Sequence, residues 1–284
     1  MGSPSSAAQQ QLAQSGKAMA IAWSLAPVGV LLQMLTNGRY GYFRDELYFI
    51  ATSNHLAAGY VDFAPLAAWV LRLNTLLFGS SLHALRLLPA LAYGAQIIVT
   101  ALITRELGGK GFATFLACVS VLLAPVVAAN GTRYSMNPFE PLFWMGCIYV
   151  MLRAVHTDRP KLLLWYGVLV GLGLENKHST TFFLIALLLG LLLTTERRLY
   201  RSRWFWIAAA IIVLIALPNV IWQAQHGFPT WVDLSNVKKM HKNVQLPPAA
   251  FLKQQIMMLS PASALVWMAG LGFLLFHREG KRDR

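Results

Sequence analysis

Long apolar runs separated by short polar segments dominate the chain, and their lengths decide what they predict. A helix crossing the hydrocarbon of a bilayer needs about 20 mostly apolar residues. Eight runs approach that length, at about 18–36, 84–103, 111–129, 139–155, 161–176, 179–195, 204–222 and 254–276. A further run, 64–79, is apolar but short, with Arg72 and Asn74 in its middle. It reads either as a span or as an amphipathic helix lying in the interface. Residues 1–17 are polar and rich in Ser, Gln and Ala, which predicts a disordered cytoplasmic N-terminus. No secretory signal peptide is apparent, because positive charge is thin ahead of the first run and no clear cleavage site follows it. The pattern predicts an all-α fold, a polytopic transmembrane helical bundle over 18–276 ending in a cytoplasmic basic tail, 277–284.

Composition supports that reading and narrows the function classes. Of 284 residues, 56% are apolar and 12% charged, against roughly 45–50% and 25% in soluble domains. The chain carries 24 Lys and Arg against 11 Asp and Glu, a net charge of +13. In a soluble protein that surplus would suggest nucleic acid. In a membrane protein it is loop charge that sets orientation, and no nucleic-acid partner is expected. The two cysteines, Cys118 and Cys147, lie inside apolar runs and suggest no disulfide framework.

Charge also separates the two readings of 64–79. If that segment lies in the interface and the N-terminus is cytoplasmic, fourteen of the 24 basic residues fall in cytoplasmic segments close to span ends. If it spans, most of those charges move outside, against the positive-inside rule. The interfacial reading is therefore preferred. It places 37–83, 130–138, 177–178 and 223–253 on the external face.

Those external stretches hold the candidate chemistry. Ionisable groups at membrane depth are costly and default to functional roles. The first stretch carries Arg44, Asp45, Glu46, His55 and Asp62, with Tyr40, Tyr42, Phe43, Tyr48 and Phe49 suited to the headgroup interface. On a helix Asp45 and Glu46 point about 100° apart, so both are not expected to serve one face equally. A carboxylate pair beside Arg44 could supply a general base and an orienting group. It reads equally as a solvated ion pair. Further along stand Arg133 and Glu140, then Glu175, Lys177 and His178, then the basic cluster Lys238, Lys239, His241 and Lys242. That cluster reads as an attractor of anionic lipid or acceptor, or as a solvated loop. No metal-ligand spacing of His and Cys occurs.

An ordered set of motifs carries a resemblance. Gly41-Tyr42-Phe43-Arg44-Asp45-Glu46-Leu47-Tyr48 is followed by Gly59-Tyr60-Val61-Asp62 with Pro65-Leu66. Next come Phe78-Gly79, Ala84-Leu85-Arg86-Leu87-Leu88-Pro89-Ala90 and Arg105-Glu106-Leu107-Gly108-Gly109. The set continues through Gly171-Leu172-Gly173-Leu174, Asn176-Lys177, Pro218-Asn219 and Trp222-Gln223-Ala224-Gln225-His226-Gly227-Phe228-Pro229. Over about 38–276 this resembles the family 39-type glycosyltransferases of the GT-C superfamily, bacterial relatives of protein O-mannosyltransferases and of the lipid A aminoarabinose transferase.

The resemblance implies a helical bundle in a bacterial inner membrane, transferring a sugar from a polyprenyl-phosphate donor on the external, periplasmic face, with inversion at C1. The acceptor would be a lipid, glycan or protein hydroxyl. The family's first-loop aspartate maps onto Asp45 and its neighbouring acid onto Glu46. Asp45 is then the general base, with Glu46 orienting the acceptor or Asp45 itself. Fixed cations would stabilise the leaving phosphate. Arg44, Arg133 and Lys177 are the candidates, and Lys177 stands out because it ends an apolar run. Its alternative is a lysine snorkelling to the interface. Asp62, Glu140 and His178 complete the expected substrate-binding set.

Some positions depart from the family pattern. A single Pro65 follows Phe63-Ala64 where relatives often have two prolines. The second external stretch offers Glu140 or Asn137 where many relatives have an aspartate, so the need for a divalent cation is open. His178 replaces a common aromatic residue and reads as a phosphate contact or as a hydrogen-bonded interfacial histidine. Relatives usually carry further C-terminal spans, which leaves a compact member or a truncated product as expectations. The alternative from another class is a non-catalytic membrane subunit that binds or translocates a lipid carrier on the same fold.

Overall fold

The computed structural model of the chain describes residues 6–240 and 244–277, with side chains from Ala18 onward. Among the described residues every regular element is helical. The helices are α1 (Ser6–Thr36), α2 (Arg44–Ser53), α3 (Leu66–Phe78), α4 (Leu82–Glu106), α5 (Gly111–Leu122), α6 (Pro125–Gly131), α7 (Glu140–His156), α8 (Leu163–Asn176), α9 (Thr180–Leu193), α10 (Arg203–Gln225), α11 (Pro229–Lys239), α12 (Pro248–Met258) and α13 (Pro261–Phe276). Short 3-10 turns at Pro160–Leu162 and Thr195–Arg201 join α7 to α8 and α9 to α10.

Each apolar run is helical, yet the helices differ from eight full spans. Helices Ala18–Thr36, Leu82–Glu106 and Arg203–Gln225 are long and apolar enough to cross a bilayer. Two more spans follow if each of two bent pairs counts as one: α5 with α6, bent by 61°, and α12 with α13, bent by 108°. Proline is the cause at both breaks. Pro125 and Pro261 open the second helix of each pair, and a proline disfavours helical backbone in the residue before it. Ala124 accordingly has ψ 115°, and Ser260 has φ 76° and ψ 126°. The runs at 139–155, 161–176 and 179–195 form helices of 17, 14 and 14 residues. At 1.5 Å per residue a 14-residue helix reaches about 21 Å, short of the ~30 Å hydrocarbon core.

The N-terminal stretch expected to be disordered is helical from Ser6. Alanine and glutamine are good helix formers, so polarity there removes the membrane signal without removing helix propensity. Residues 1–5 and most of the expected basic tail, 278–284, lie outside the described residues, as do His241 and Lys242.

The chain forms two compact units. The first comprises 1–36, 90–132 and 246–284. Its core is Ala22, Ala26, Ile97, Ala101 and Cys118, where small residues let α1, α4 and α5 approach closely. Gln33 donates from Nε2 to the Ala128 carbonyl at 2.9 Å, satisfying a group near the end of α6.

The second unit, 37–89 and 133–245, holds the candidate site. Its larger core gathers Cys147, Met151, Leu163, Tyr166, Val170, Leu191, Leu199 and Ala208 from α7 to α10. Contact between α8 and α10 depends on two glycines one helical turn apart. A Cβ on Gly167 would lie 2.7 Å from the Ala208 carbonyl oxygen, and one on Gly171 would lie 2.8 Å from Ile215. The small-xxx-small spacing puts both on one face, where backbones pack without side chains between them. A second core, with Phe49, Phe63, Ala67, Ala68, Leu71, Leu85 and Tyr134, seats α2 and α3.

Candidate functional site

The site grows from the first turn of α2. Phe43 caps the helix with extended backbone (φ −77°, ψ 147°), and Glu46, three residues on, accepts the Phe43 N–H at 2.9 Å. That bond is half of a capping box, and it ties up one of the orphan donors of the helix end. Glu46 is 0% exposed. Its Oε1 also accepts from Arg86 Nε and from the Tyr134 N–H, both at 2.9 Å, and its Oε2 accepts from Arg86 Nη2 at 2.6 Å. Four bonds fill the capacity of a carboxylate. Burial pushes the Glu46 pKa up, but the Arg86 hydrogen bond, the Phe43 and Tyr134 amides and the Arg86 charge outweigh it, and the net direction is down.

Arg86 is used as completely. Beyond its two bonds to Glu46, it donates to the carbonyls of Asn37, Tyr40 (3.2 Å) and Gly41 (2.8 Å). All five guanidinium N–H groups are engaged. One buried pair thus holds the turn and entry segment 37–43, the start of α2, the start of α4 and the segment at Tyr134.

Asp45, one residue earlier, has the opposite environment. Among the described residues its carboxylate meets only Arg44 Nε, at 3.2 Å, with the two side chains 48% and 89% exposed. One turn along the same face, the Tyr48 hydroxyl donates to Asp62 Oδ1 at 2.7 Å. Burial, the hydrogen bond to Asp62 and the nearby negative charge all raise the Tyr48 pKa, so the phenol stays protonated as a donor. The loop that carries Asp62 docks on the end of α10. Asn219 donates to Ala58 O at 3.0 Å and Gln223 to Tyr60 O at 3.1 Å. Gly59 lies under Trp222, whose ring would come within 2.3 Å of a Cβ there.

The segment 133–140 reaches two groups of site residues. At its start Arg133 lies over the Phe43 ring, 4.7 Å from the centroid, and Tyr134 bonds Glu46. At its end Lys177 Nζ donates to Asn137 Oδ1 at 3.0 Å and to Glu140 Oε2 at 2.7 Å. The Ser179 hydroxyl donates to the other Glu140 oxygen, and Asn176 Nδ2 to the Met136 carbonyl at 3.0 Å. His178 pairs through Nε2 with Asn219 Oδ1 at 3.2 Å.

The structure therefore sorts the expected residues into three settings. Asp45, Arg44, Asp62 and Arg133 surround the start of α2. Lys177 and Glu140 form a second centre at the end of α8, where the lysine is ion-paired rather than free. His178, in the turn between α8 and α9, bonds α10 as a hydrogen-bonded histidine. Glu46 has no lone pair left for an acceptor. Arg86, Tyr48, Tyr134 and Ser179 were not among the expected site residues. For Arg86 the signal was present, since a charge inside the apolar run 84–103 demands a partner. Among the described residues no group of three or more His, Cys, Asp and Glu side chains could hold a metal ion.

A family profile matches this same region. The dolichyl-phosphate-mannose-protein mannosyltransferase profile covers residues 62–222, more than half of the chain. The chain belongs to this family. Among curated relatives, it is 28% identical over 198 residues to the lipid A galacturonosyltransferase RgtD of Rhizobium johnstonii, covering 69% of this chain and 41% of that protein. It is 25% identical over 174 residues to the undecaprenyl phosphate-alpha-4-amino-4-deoxy-L-arabinose arabinosyl transferase 2 of Pseudomonas fluorescens, covering 59% of this chain and 30% of the relative. A similar arabinosyl transferase of Pseudomonas savastanoi pv. phaseolicola is 23% identical over 163 residues, covering 56% and 31%. The chain thus spans less than half the length of these relatives. No solved structure matches it.

Proposed function

We propose that this chain is a membrane glycosyltransferase that moves a sugar from a polyprenyl-phosphate donor to an acceptor hydroxyl, on the external face of a bacterial inner membrane. The reading is supported by family membership and by relatives named for undecaprenyl-phosphate-linked aminoarabinose and for lipid A galacturonate. The observation that carries it is the first turn of α2. There a half-exposed, lightly paired carboxylate, Asp45, sits on a helix end immobilised by the buried Glu46–Arg86 pair.

In the proposed reaction the acceptor oxygen attacks C1 of the sugar and gives its proton to Asp45. The bond from C1 to the phosphate oxygen breaks on the opposite face, which inverts C1 and releases polyprenyl phosphate. Glu46 acts through the second of its two expected roles, fixing Asp45 by fixing the helix. Arg44 and Arg133 lie beside that turn and can balance the phosphate charge. Lys177 does so by exchanging its Glu140 partner for phosphate oxygen, which keeps the ammonium paired throughout. Asp62, held by Tyr48, is available to sugar hydroxyls.

The test is transfer of radiolabelled sugar from a synthetic polyprenyl-phosphate donor by purified protein, with Asp45→Asn alongside. Loss of turnover in a variant that melts like the parent supports the reading. An Asp45→Asn protein with unchanged turnover overturns the assignment of the base.

A further inference from the structure

A cavity of ≈ 210 Å³ lies among α8, α9 and α10, with walls that include Leu163, Tyr166, Leu188, Phe205 and Ala209. Its walls are apolar, and apolar cavities of roughly 150 Å³ already stay dry and take apolar guests. No polar atom is exposed in it, and Tyr166 contributes only its ring.

The same end of these helices is strongly basic. Two residues before Leu163 stands Lys161, and two before Phe205 stands Arg203. Both cations lie over a single indole, Lys161 Nζ 5.5 Å and Arg203 Cζ 4.8 Å from the Trp204 ring centroid. The acids in the two adjoining turns, Asp158 and Glu196, both pair with Arg198, at 3.7 and 3.2 Å. Among the described residues neither Lys161 nor Arg203 has an acidic partner. Two unneutralised cations brought together on one ring repel each other unless an anion joins them.

We infer that this end of the α8–α10 bundle binds one anionic phospholipid. An acyl chain enters the cavity, and the phosphate lies between Lys161 and Arg203. Basic pockets between membrane helices bind acidic headgroups by this combination of charge and apolar burial. The site is separate from the Asp45 and Lys177 centres and does not rest on the sugar-transfer reading.

Native mass spectrometry of the purified full chain in detergent tests it, with added dioleoyl-phosphatidylglycerol or dioleoyl-phosphatidylcholine. One phosphatidylglycerol should be retained in preference to phosphatidylcholine. Lys161→Gln with Arg203→Gln should weaken its retention by roughly fivefold for each cation removed. Ala209→Phe should expel the lipid by filling the cavity while leaving both cations, and Leu184→Trp, at another residue that lines the cavity, repeats the block should the first variant not fold. Equal retention of the two lipids, or phosphatidylglycerol retention unchanged in the cation or cavity variants, would overturn the site. Displacement of the phosphatidylglycerol by an equal concentration of polyprenyl phosphate would overturn its assignment to a phospholipid.

Discussion

Two acid–base pairs in the second unit make a useful contrast. Arg86 and Glu46 are 4% and 0% exposed and use every hydrogen-bonding position they have. Lys177 and Glu140 are 30% and 14% exposed, and the ammonium holds two oxygen partners. The first pair has nothing to offer a ligand. The second retains solvent access and a donor that can change partners. Desolvation explains the division: removing either member of a buried pair strands the other charge, so such a pair persists only as architecture. A partly exposed pair can exchange one anion for another at lower cost than a fully buried one.

The contrast breaks most visibly at Arg86. Arg86→Met strands Glu46 and releases three carbonyls, and unfolding in detergent should reveal a loss of about 3–5 kcal/mol. Combining Arg86→Met with Glu46→Leu should recover much of that loss, since two apolar side chains leave no buried charge. Full stability in Arg86→Met alone would show that the pair is not the anchor described.

Next in size is Asp45→Asn. It should cut sugar transfer by about 10²–10⁴-fold, the usual worth of a positioned base. Stability should move by no more than about 0.5 kcal/mol, because the half-exposed side chain makes a single surface ion pair. Lys177→Met should reduce transfer and also destabilise the fold by about 1–3 kcal/mol, since Glu140 loses a partner. Adding Glu140→Gln should restore the melting temperature without restoring transfer. Restored transfer in that double variant would make Lys177 a structural residue.

Acid provides a finer probe. The folded pKa of Glu46 lies below its ordinary 4.5, so its stabilisation is complete above about that pH and is lost as pH falls through the lower, folded value. Unfolding curves of the parent should therefore weaken below pH 4.5, and those of the doubly apolar Arg86→Met, Glu46→Leu protein should weaken less. Arg44→Ala marks the smallest effect, since surface pairs contribute about 0–1 kcal/mol. It should leave melting nearly unchanged while weakening transfer if Arg44 meets phosphate.

Much of this was legible along the chain, and the failures share a cause. The apolar runs predicted every long helix, because a 20-residue apolar stretch has few alternatives to burying its backbone polarity in a helix. The same runs could not disclose the 61° and 108° bends, since Pro125 and Pro261 read equally as kinks within a span. Gly167 and Gly171 carried a helix-pairing spacing, but not the identity of α10 as the partner. At the site, Asp45 and Glu46 are chemically alike neighbours, and periodicity showed only that they diverge. Which one faces solvent depends on Arg86, forty residues away.

By itself, the sequence determined the all-α class, the family and the concentration of ionisable residues in a few inter-helical segments, because these depend on composition and local order. Tertiary structure alone decided which carboxylate is sealed and which is open, that Lys177 rests on Glu140, and that Lys161 and Arg203 meet on Trp204. Those outcomes turn on desolvation and on contacts between distant segments. Both arise only when the helices pack.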